Sequence, residues 1–351
     1  MKIAPIIRAI QAREADGARI RFRLVHTGQH YDAAMSADVF TQLGIPEPDV
    51  NLEVGPGTQA SQSAEIMARY EDLLGQSRPA ICVVVGDVTS TMACAISGRK
   101  RGVDVAHVEA GIRSGDLTMP EEINRIVTDA LSNYFFTTSA TANENLRRGG
   151  VADDRIFFVG NTMIDTLLAN MDRFIAPSLW NQLDLEPQSY FVVTLHRPAN
   201  VDEGLSFGEL LRAIGEGARC ERVIFPAHPR TAKALRLVAR LPDNITVVDP
   251  LPYLEFNFLA KNARAVITDS GGVSEEATMM GIPCLTLRET TERPETVTVG
   301  TNELLGADPR AVRPALDRVF AGEWKRGSIP ELWDGNAATR IVGHLSRILG
   351  E

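Results

Sequence analysis

Ile81-Cys82-Val83-Val84-Val85-Gly86-Asp87 decides how this chain folds. Five apolar residues in a row, bounded by a glycine and an aspartate, suit a strand covered on both faces in a parallel sheet. Helical patterning follows over Thr89–Arg99, and a second apolar run, Val103–Glu109, follows that. Strand, helix, strand is the βαβ unit of a doubly wound α/β domain, whose crossovers are right-handed. Further strands are expected at Ile20–His26, Asn51–Val54, Tyr134–Thr138 and Ile156–Gly160. Helices are expected at Ser61–Leu74 and Glu121–Leu131.

After a helix over Thr162–Phe174 a second series begins, with strands at Tyr190–Leu195, Arg222–Pro226, Ile245–Val248, Ala265–Thr268 and Pro283–Leu287. Pro177–Pro187 reads as a linker. A final helix, Ala337–Leu349, carries Ile341, Leu345, Ile348 and Leu349 on one face. Two Rossmann-like domains in tandem are predicted, residues 1–165 and 166–335, with 336–351 as an appended helix. The chain opens on a helix, because Ile3, Ile6, Ile7 and Ile10 recur at i, i+3, i+4 and i+7.

Composition narrows the function. The 351 residues are 44% hydrophobic and 23% charged, enough for two cored domains and too mixed in charge for bulk disorder. A net charge of −9 argues against a nucleic-acid partner. No apolar run reaches the roughly 18 residues that cross a bilayer, and the start lacks the pattern of a signal peptide. Cys82, Cys94, Cys220 and Cys284 are scattered, with no metal-binding spacing; Cys82 and Cys284 read as small core residues. A reduced, cytoplasmic protein is expected, without membrane or metal.

In open α/β sheets ligands bind beyond the carboxyl ends of the strands. His26, Gln29, Asp87, Glu109, His196, His228, Asp269, Ser270 and Arg288 all fall at such ends. Thr268-Asp269-Ser270-Gly271-Gly272 reads as strand end, tight turn and helix start, where glycines admit a phosphate to free backbone N–H groups. Glu275 and Glu276 follow, and a carboxylate there could receive a ribose diol. An acidic capped helix explains the same residues as well. Asp87, Glu109 and Glu121 are acid–base candidates; Glu121 and Arg125, four apart, equally suit a helix-surface ion pair. Gly55-Pro56-Gly57-Thr58-Gln59-Ala60 only loosely matches a dinucleotide turn, no acidic strand end follows it, and no P-loop occurs. No cofactor is expected. His344 reads as a surface residue of the last helix.

Ordered over most of the chain stand Lys2-Ile3-Ala4-Pro5, Thr27-Gly28-Gln29-His30, Gly86-Asp87, His107-Val108-Glu109-Ala110-Gly111-Ile112-Arg113-Ser114-Gly115 and Pro120-Glu121-Glu122-Ile123-Asn124-Arg125. Gly160-Asn161-Thr162-Met163-Ile164-Asp165, Thr268-Asp269-Ser270-Gly271-Gly272 and Thr291-Glu292-Arg293-Pro294-Glu295 continue the series. In these stretches the sequence resembles the non-hydrolysing UDP-N-acetylglucosamine 2-epimerases. The resemblance implies the GT-B fold, with a cleft between two Rossmann-like domains, the last helix returning to the first, and a homodimer. It implies interconversion of UDP-GlcNAc and UDP-ManNAc through 2-acetamidoglucal, supporting polysaccharide synthesis. It gives Asp87, Glu109, Glu121 and His196 the catalytic roles, with Lys2 and Arg125 lining the site. Ser270, Gly271 and Gly272 would hold the diphosphate and Glu276 the ribose.

Two departures are visible. The family's His-Arg-x-Glu-Asn stands here as His196-Arg197-Pro198-Ala199-Asn200. The family also opens with a strand and a Gly-Thr-Arg-Pro-Glu turn before its lysine, whereas Met1 directly precedes Lys2. The expectation is that this strand and an active-site arginine are missing from the numbering, so that the natural protein starts upstream or the chain is impaired. A GT-B glycosyltransferase and a UDP-sugar-binding module without turnover are the competing readings.

Overall fold

The computed structural model describes residues 1–28, 39–201 and 204–351. The chain divides into two compact units, Met1–Ala169 with Glu331–Glu351, and Asn170–Pro330.

In the first unit the strands are β1 (Val25–His26), β2 (Val50–Asn51), β3 (Ile81–Val85), β4 (Asp104–Val108), β5 (Tyr134–Thr137) and β6 (Ile156–Phe158). β3, β4, β5 and β6 lie side by side in that order, all parallel. β1 and β2 form a separate parallel pair. Parallel neighbours need crossovers. α1 (Ala4–Ala15) precedes the strands, α2 (Thr89–Lys100) joins β3 to β4, and α3 (Pro120–Leu131) joins β4 to β5. Alternate residues feed two cores: Cys82, Val84 and Val105 join one, while Val83, Val85, Ala106 and Val108 join the other. Each fully buried aliphatic side chain contributes roughly 1.5–3 kcal/mol.

The strand expected over Ile20–His26 shrinks to two residues, because only Val25 and His26 find ladder partners. Ile20 and Phe22 instead bury their side chains among Ile6, Ile10, Ile341 and Leu345. Among the described residues, β3 has a strand partner on its β4 side alone. The last helix, Ala337–Ile348, packs on α1 within this unit, and its first N–H groups are capped from a distance. Asp165 accepts from Ala337 N at 3.1 Å and from Ala338 N at 2.7 Å. His344 is half-buried, its ring 4.4 Å from that of Phe157, rather than a bare surface residue.

The second unit holds β7 (Tyr190–Thr194), β8 (Arg222–Pro226), β9 (Ile245–Val248), β10 (Ala265–Thr268), β11 (Cys284–Thr286) and β12 (Asn302–Leu304). Their order is β12-β11-β10-β7-β8-β9, parallel throughout. β12 was not expected from sequence, and the linker stretch contains a short helix, Ser178–Gln182. The direction of winding reverses between β7 and β10, which pair with Thr194 opposite Thr268. A crevice opens where strand order reverses, so the residues after these two strands stand together. α4 (Gly271–Met280) starts there. Buried Cys82, Cys94 and Cys284 serve as small core residues.

Candidate active site

The first unit gathers its polar residues around Gly86. This residue follows β3 with φ +74°, a conformation that costs a non-glycine residue about 1–2 kcal/mol. A Cβ here would lie 3.3 Å from Glu109 Oε2 and 3.4 Å from Lys2 Nζ, so the glycine also makes room for both groups. Glu109, at the end of β4, is itself left-handed at φ +70° and only 3% exposed. Strain of this kind persists only where surroundings enforce it. Here Phe136 O takes two bonds, from Glu109 N at 2.9 Å and Ala110 N at 3.1 Å. The Lys2 ammonium donates to the Glu109 carboxylate.

Asp87 is held from α3. Arg125 Nε lies 3.0 Å from Asp87 Oδ2, and Asn124 Nδ2 donates to the Asp87 carbonyl at 2.8 Å. Arg125 is 1% exposed and also pairs with Glu122, whose carboxylate receives Ser114 N and Gly115 N at 3.0 Å each. The helix-surface pair of Glu121 with Arg125 is therefore not formed. Arg125 turns inward, where a buried guanidinium needs anions. Arg125 Nη2 is buried without a hydrogen-bond partner among the described residues. The carboxylate of half-buried Glu121, four residues before Arg125, has no hydrogen-bond or ion-pair partner among the described residues. Lys2, Asp87, Glu109 and Arg125 thus form one cluster.

In the second unit Asp269, wholly buried after β10, organises the segment after β7. It accepts from His196 N, Arg197 N and Asn200 Nδ2 at 2.9–3.2 Å, and His196 Nδ1 lies 2.8 Å from its Oδ1. Burial raises the Asp269 carboxyl, but the His196 bond and these N–H donors outweigh it and hold it below its ordinary range. An ionised Asp269 makes Nδ1 the protonated nitrogen, so the half-exposed ring offers Nε2 to a ligand. Asn200 also donates to Leu287 O at 3.0 Å, so this residue is locked in place.

Ser270 caps α4, its hydroxyl accepting from Val273 N. The N–H groups of Gly271 and Gly272 have no acceptor among the described residues, which leaves a positive helix end for an anion. Any Cβ on Gly271 would meet Glu292 Oε1 at 2.9 Å. Burial raises the Glu292 carboxyl, yet Arg288, bonded at 2.6 Å, holds it down to about 2. Glu275 is tied to Arg293 at 2.5 Å. Glu276 is buried on a different side and accepts from Tyr253 Oη at 2.9 Å. Burial pushes its carboxyl up to about 7 against the opposing bonds from Tyr253 and Asn257.

A family model, UDP-N-acetylglucosamine 2-epimerase, matches residues 12–346. The chain belongs to this family. A UDP-N-acetylglucosamine 2-epimerase of Methanocaldococcus jannaschii is 39% identical over 355 residues, covering 97% of this chain and 94% of the relative. The crystal structure of the M. jannaschii UDP-GlcNAc 2-epimerase in complex with UDP-GlcNAc and UDP has a TM-score of 0.87 at 37% identity, covering 99% and 96%. A UDP-2,3-diacetamido-2,3-dideoxy-D-glucuronate 2-epimerase of Pseudomonas aeruginosa is 37% identical over 330 residues, covering 93% and 91%. The two Rossmann-like units are accordingly those of the GT-B fold, and the family is one of isomerases. Glu122, which holds Arg125, and Asn200, which binds Asp269, do not stand out in the sequence as organisers of the site. Nothing but helix register separates Glu122 from Glu121. Gln29 and His30 of the matched stretches lie outside the described residues. No helix is long and apolar enough to cross a membrane, and no three potential metal ligands cluster, among the described residues.

Proposed function

We propose that this chain interconverts UDP-GlcNAc and UDP-ManNAc by eliminating UDP and adding it back. The observation that carries this reading is the pair of carboxylates at adjacent strand ends, Asp87 and Glu109, each held by a cation around Gly86. The C2 proton of this sugar is not next to a carbonyl, so removing it alone is hard. Losing it together with the C1–O bond is easier: a base takes the proton, UDP leaves with the electron pair, and 2-acetamidoglucal remains. Re-addition attaches a UDP oxygen to C1 and a proton to the opposite face of C2. The reaction is redox-neutral overall and calls for acid–base groups serving both faces of the sugar. Asp87, Glu109, Glu121 and His196 supply those groups in this reading, with Lys2 and Arg125 beside the sugar.

UDP is assigned to the second unit, the diphosphate at Ser270, Gly271 and Gly272 and the ribose diol at Glu276. The unpartnered N–H groups of the helix start and the buried carboxylate behind them support that assignment. The same reading has the enzyme acting as a cytoplasmic homodimer whose product feeds polysaccharide synthesis.

Proton NMR of the purified protein with UDP-GlcNAc and no added cofactor tests the proposal. UDP-ManNAc should appear as an intact nucleotide sugar until an equilibrium mixture forms. Free UDP with free ManNAc as end products would assign the chain to hydrolytic chemistry instead. The Pseudomonas relative motivates a second substrate, so UDP-2,3-diacetamido-2,3-dideoxyglucuronate belongs in the same assay. A clear preference for it would move the activity to that sugar. An added acceptor that becomes glycosylated would favour the transferase reading.

A further inference from the structure

His107 lies in the middle of the first unit's site yet touches nothing outside the protein, being 0% exposed. Both ring nitrogens face acceptors: Nδ1 is 2.7 Å from Asp129 Oδ1, and Nε2 is 2.8 Å from the Gly86 carbonyl oxygen. A carbonyl oxygen can only accept, so Nε2 carries a proton. The other side of Asp129 receives Gly111 N at 3.0 Å and the Arg113 guanidinium at 2.7 Å, which favours an ionised carboxylate. Nδ1 then carries a proton as well.

These bonds join the two turns that bear the carboxylates. Through Nε2 the ring grips Gly86, whose N–H is fixed to Val108 O at 3.0 Å and whose successor is Asp87. Through Asp129 it grips Gly111, left-handed at φ +77° just beyond Glu109, where a Cβ would meet Ala142 O at 2.3 Å. We infer that His107 is a fixed imidazolium and a positioning residue, which with Asp129 locks the Gly86-Asp87 and Glu109-Gly111 turns into one geometry.

The charged groups around the ring are Asp129 from α3, Glu109 directly after the ring's own strand, and Arg113 and Lys2 bonded to those two carboxylates. Burial opposes a charged imidazole, but Asp129, the Gly86 carbonyl and Glu109 outweigh it and raise His107 above its ordinary value. Its folded value being raised, the pair stabilises the fold below the unfolded histidine value, and the contribution is lost only as pH rises through the folded value.

The kinetic part of the inference rests on Asp87 and Glu109 being the reacting carboxylates; the charge state of the ring does not. Histidine-selective nitrogen-15 NMR from pH 6 to 8 reads that state directly. One ring, identified by its absence in H107Q, should keep both nitrogens protonated throughout. A bare nitrogen on that ring at pH 8 would overturn the assignment. Folded H107Q should lose at least about tenfold in kcat while KM stays within about twofold, since misaligned turns cost turnover more than binding. Full kcat in folded H107Q would sink the positioning role. If H107Q does not fold, H107N carries both tests, because its shorter amide can still reach Asp129 but not the Gly86 carbonyl. Folded H107N should likewise lose at least about tenfold in kcat, and full kcat in it would overturn the role. A wild-type protein that converts no UDP-sugar would defeat the functional reading, while the nitrogen shifts would still decide the charge of His107.

Discussion

At the scale of single residues, three carboxylates are legible in the sequence to different degrees. Asp87 and Glu109 stand out because each terminates an apolar strand, where ligands bind. Glu121 does not, because Glu122 follows it and either could face the core. Packing resolves the pair: Glu122 is occupied by Arg125, Ser114 and Gly115, and Glu121 keeps its carboxylate unengaged among the described residues. D87N, E109Q and E121Q should each lower turnover by about 10²-fold or more, the usual scale of acid–base groups. UDP binding should survive, since its assigned contacts lie in the other unit. Near-full activity of E121Q in a steady-state assay would leave that residue without a catalytic role. Asp269 reads from sequence as one more polar strand end; only the β7–β10 pairing shows that it faces His196. D269N cannot fix the Nδ1 proton in the same way, so kcat should fall by about 10²-fold. Unchanged kcat would mean that His196 is oriented by something else.

Elements explain what the patterns could and could not reveal. Continuous apolar runs made β3, β7 and β10 legible: β7 and β10 are buried on both faces, and β3 buries one face and half-buries the other. β1 and β12 were misjudged for the opposite reason, being short and defined by their partners rather than by their own residues. The match at Gly160–Asp165 turns out to carry architecture, because Asp165 caps a helix that begins 172 residues later. Losing that cap in D165A should cost about 1 kcal/mol, seen as a lower Tm and faster exchange of the Ala337 and Ala338 amides. Unaltered exchange would show that the helix start is satisfied elsewhere. Helix α4 supplies a pH prediction. Glu276 has its folded value raised to about 7, so its stabilising contribution is present at low pH and lost as pH rises through about 7. A diol donating to this carboxylate favours the ionised form, so binding should release a proton near pH 6. UDP-GlcNAc does not itself titrate in this range. Its affinity for catalytically silenced D87N should therefore tighten between pH 6 and pH 8. The double variant D87N/E276Q should show a flat profile, and equal slopes in the two would remove Glu276 from the ribose site.

Taken whole, the molecule shows why fold and function must be argued apart. Two Rossmann-like units of a GT-B fold could equally serve sugar transfer. Function follows from what each unit presents: charge-paired carboxylates around Gly86 in one, a glycine-lined helix start with a buried glutamate in the other. Elimination makes a demand that neither transfer nor simple binding makes, because the proton at C2 must leave and be replaced. Conversion of UDP-GlcNAc in deuterium oxide, followed by NMR at C2, tests this most directly. UDP-ManNAc carrying deuterium at C2, formed without added nicotinamide, is the expected product. UDP-ManNAc that keeps protium at C2 would contradict elimination.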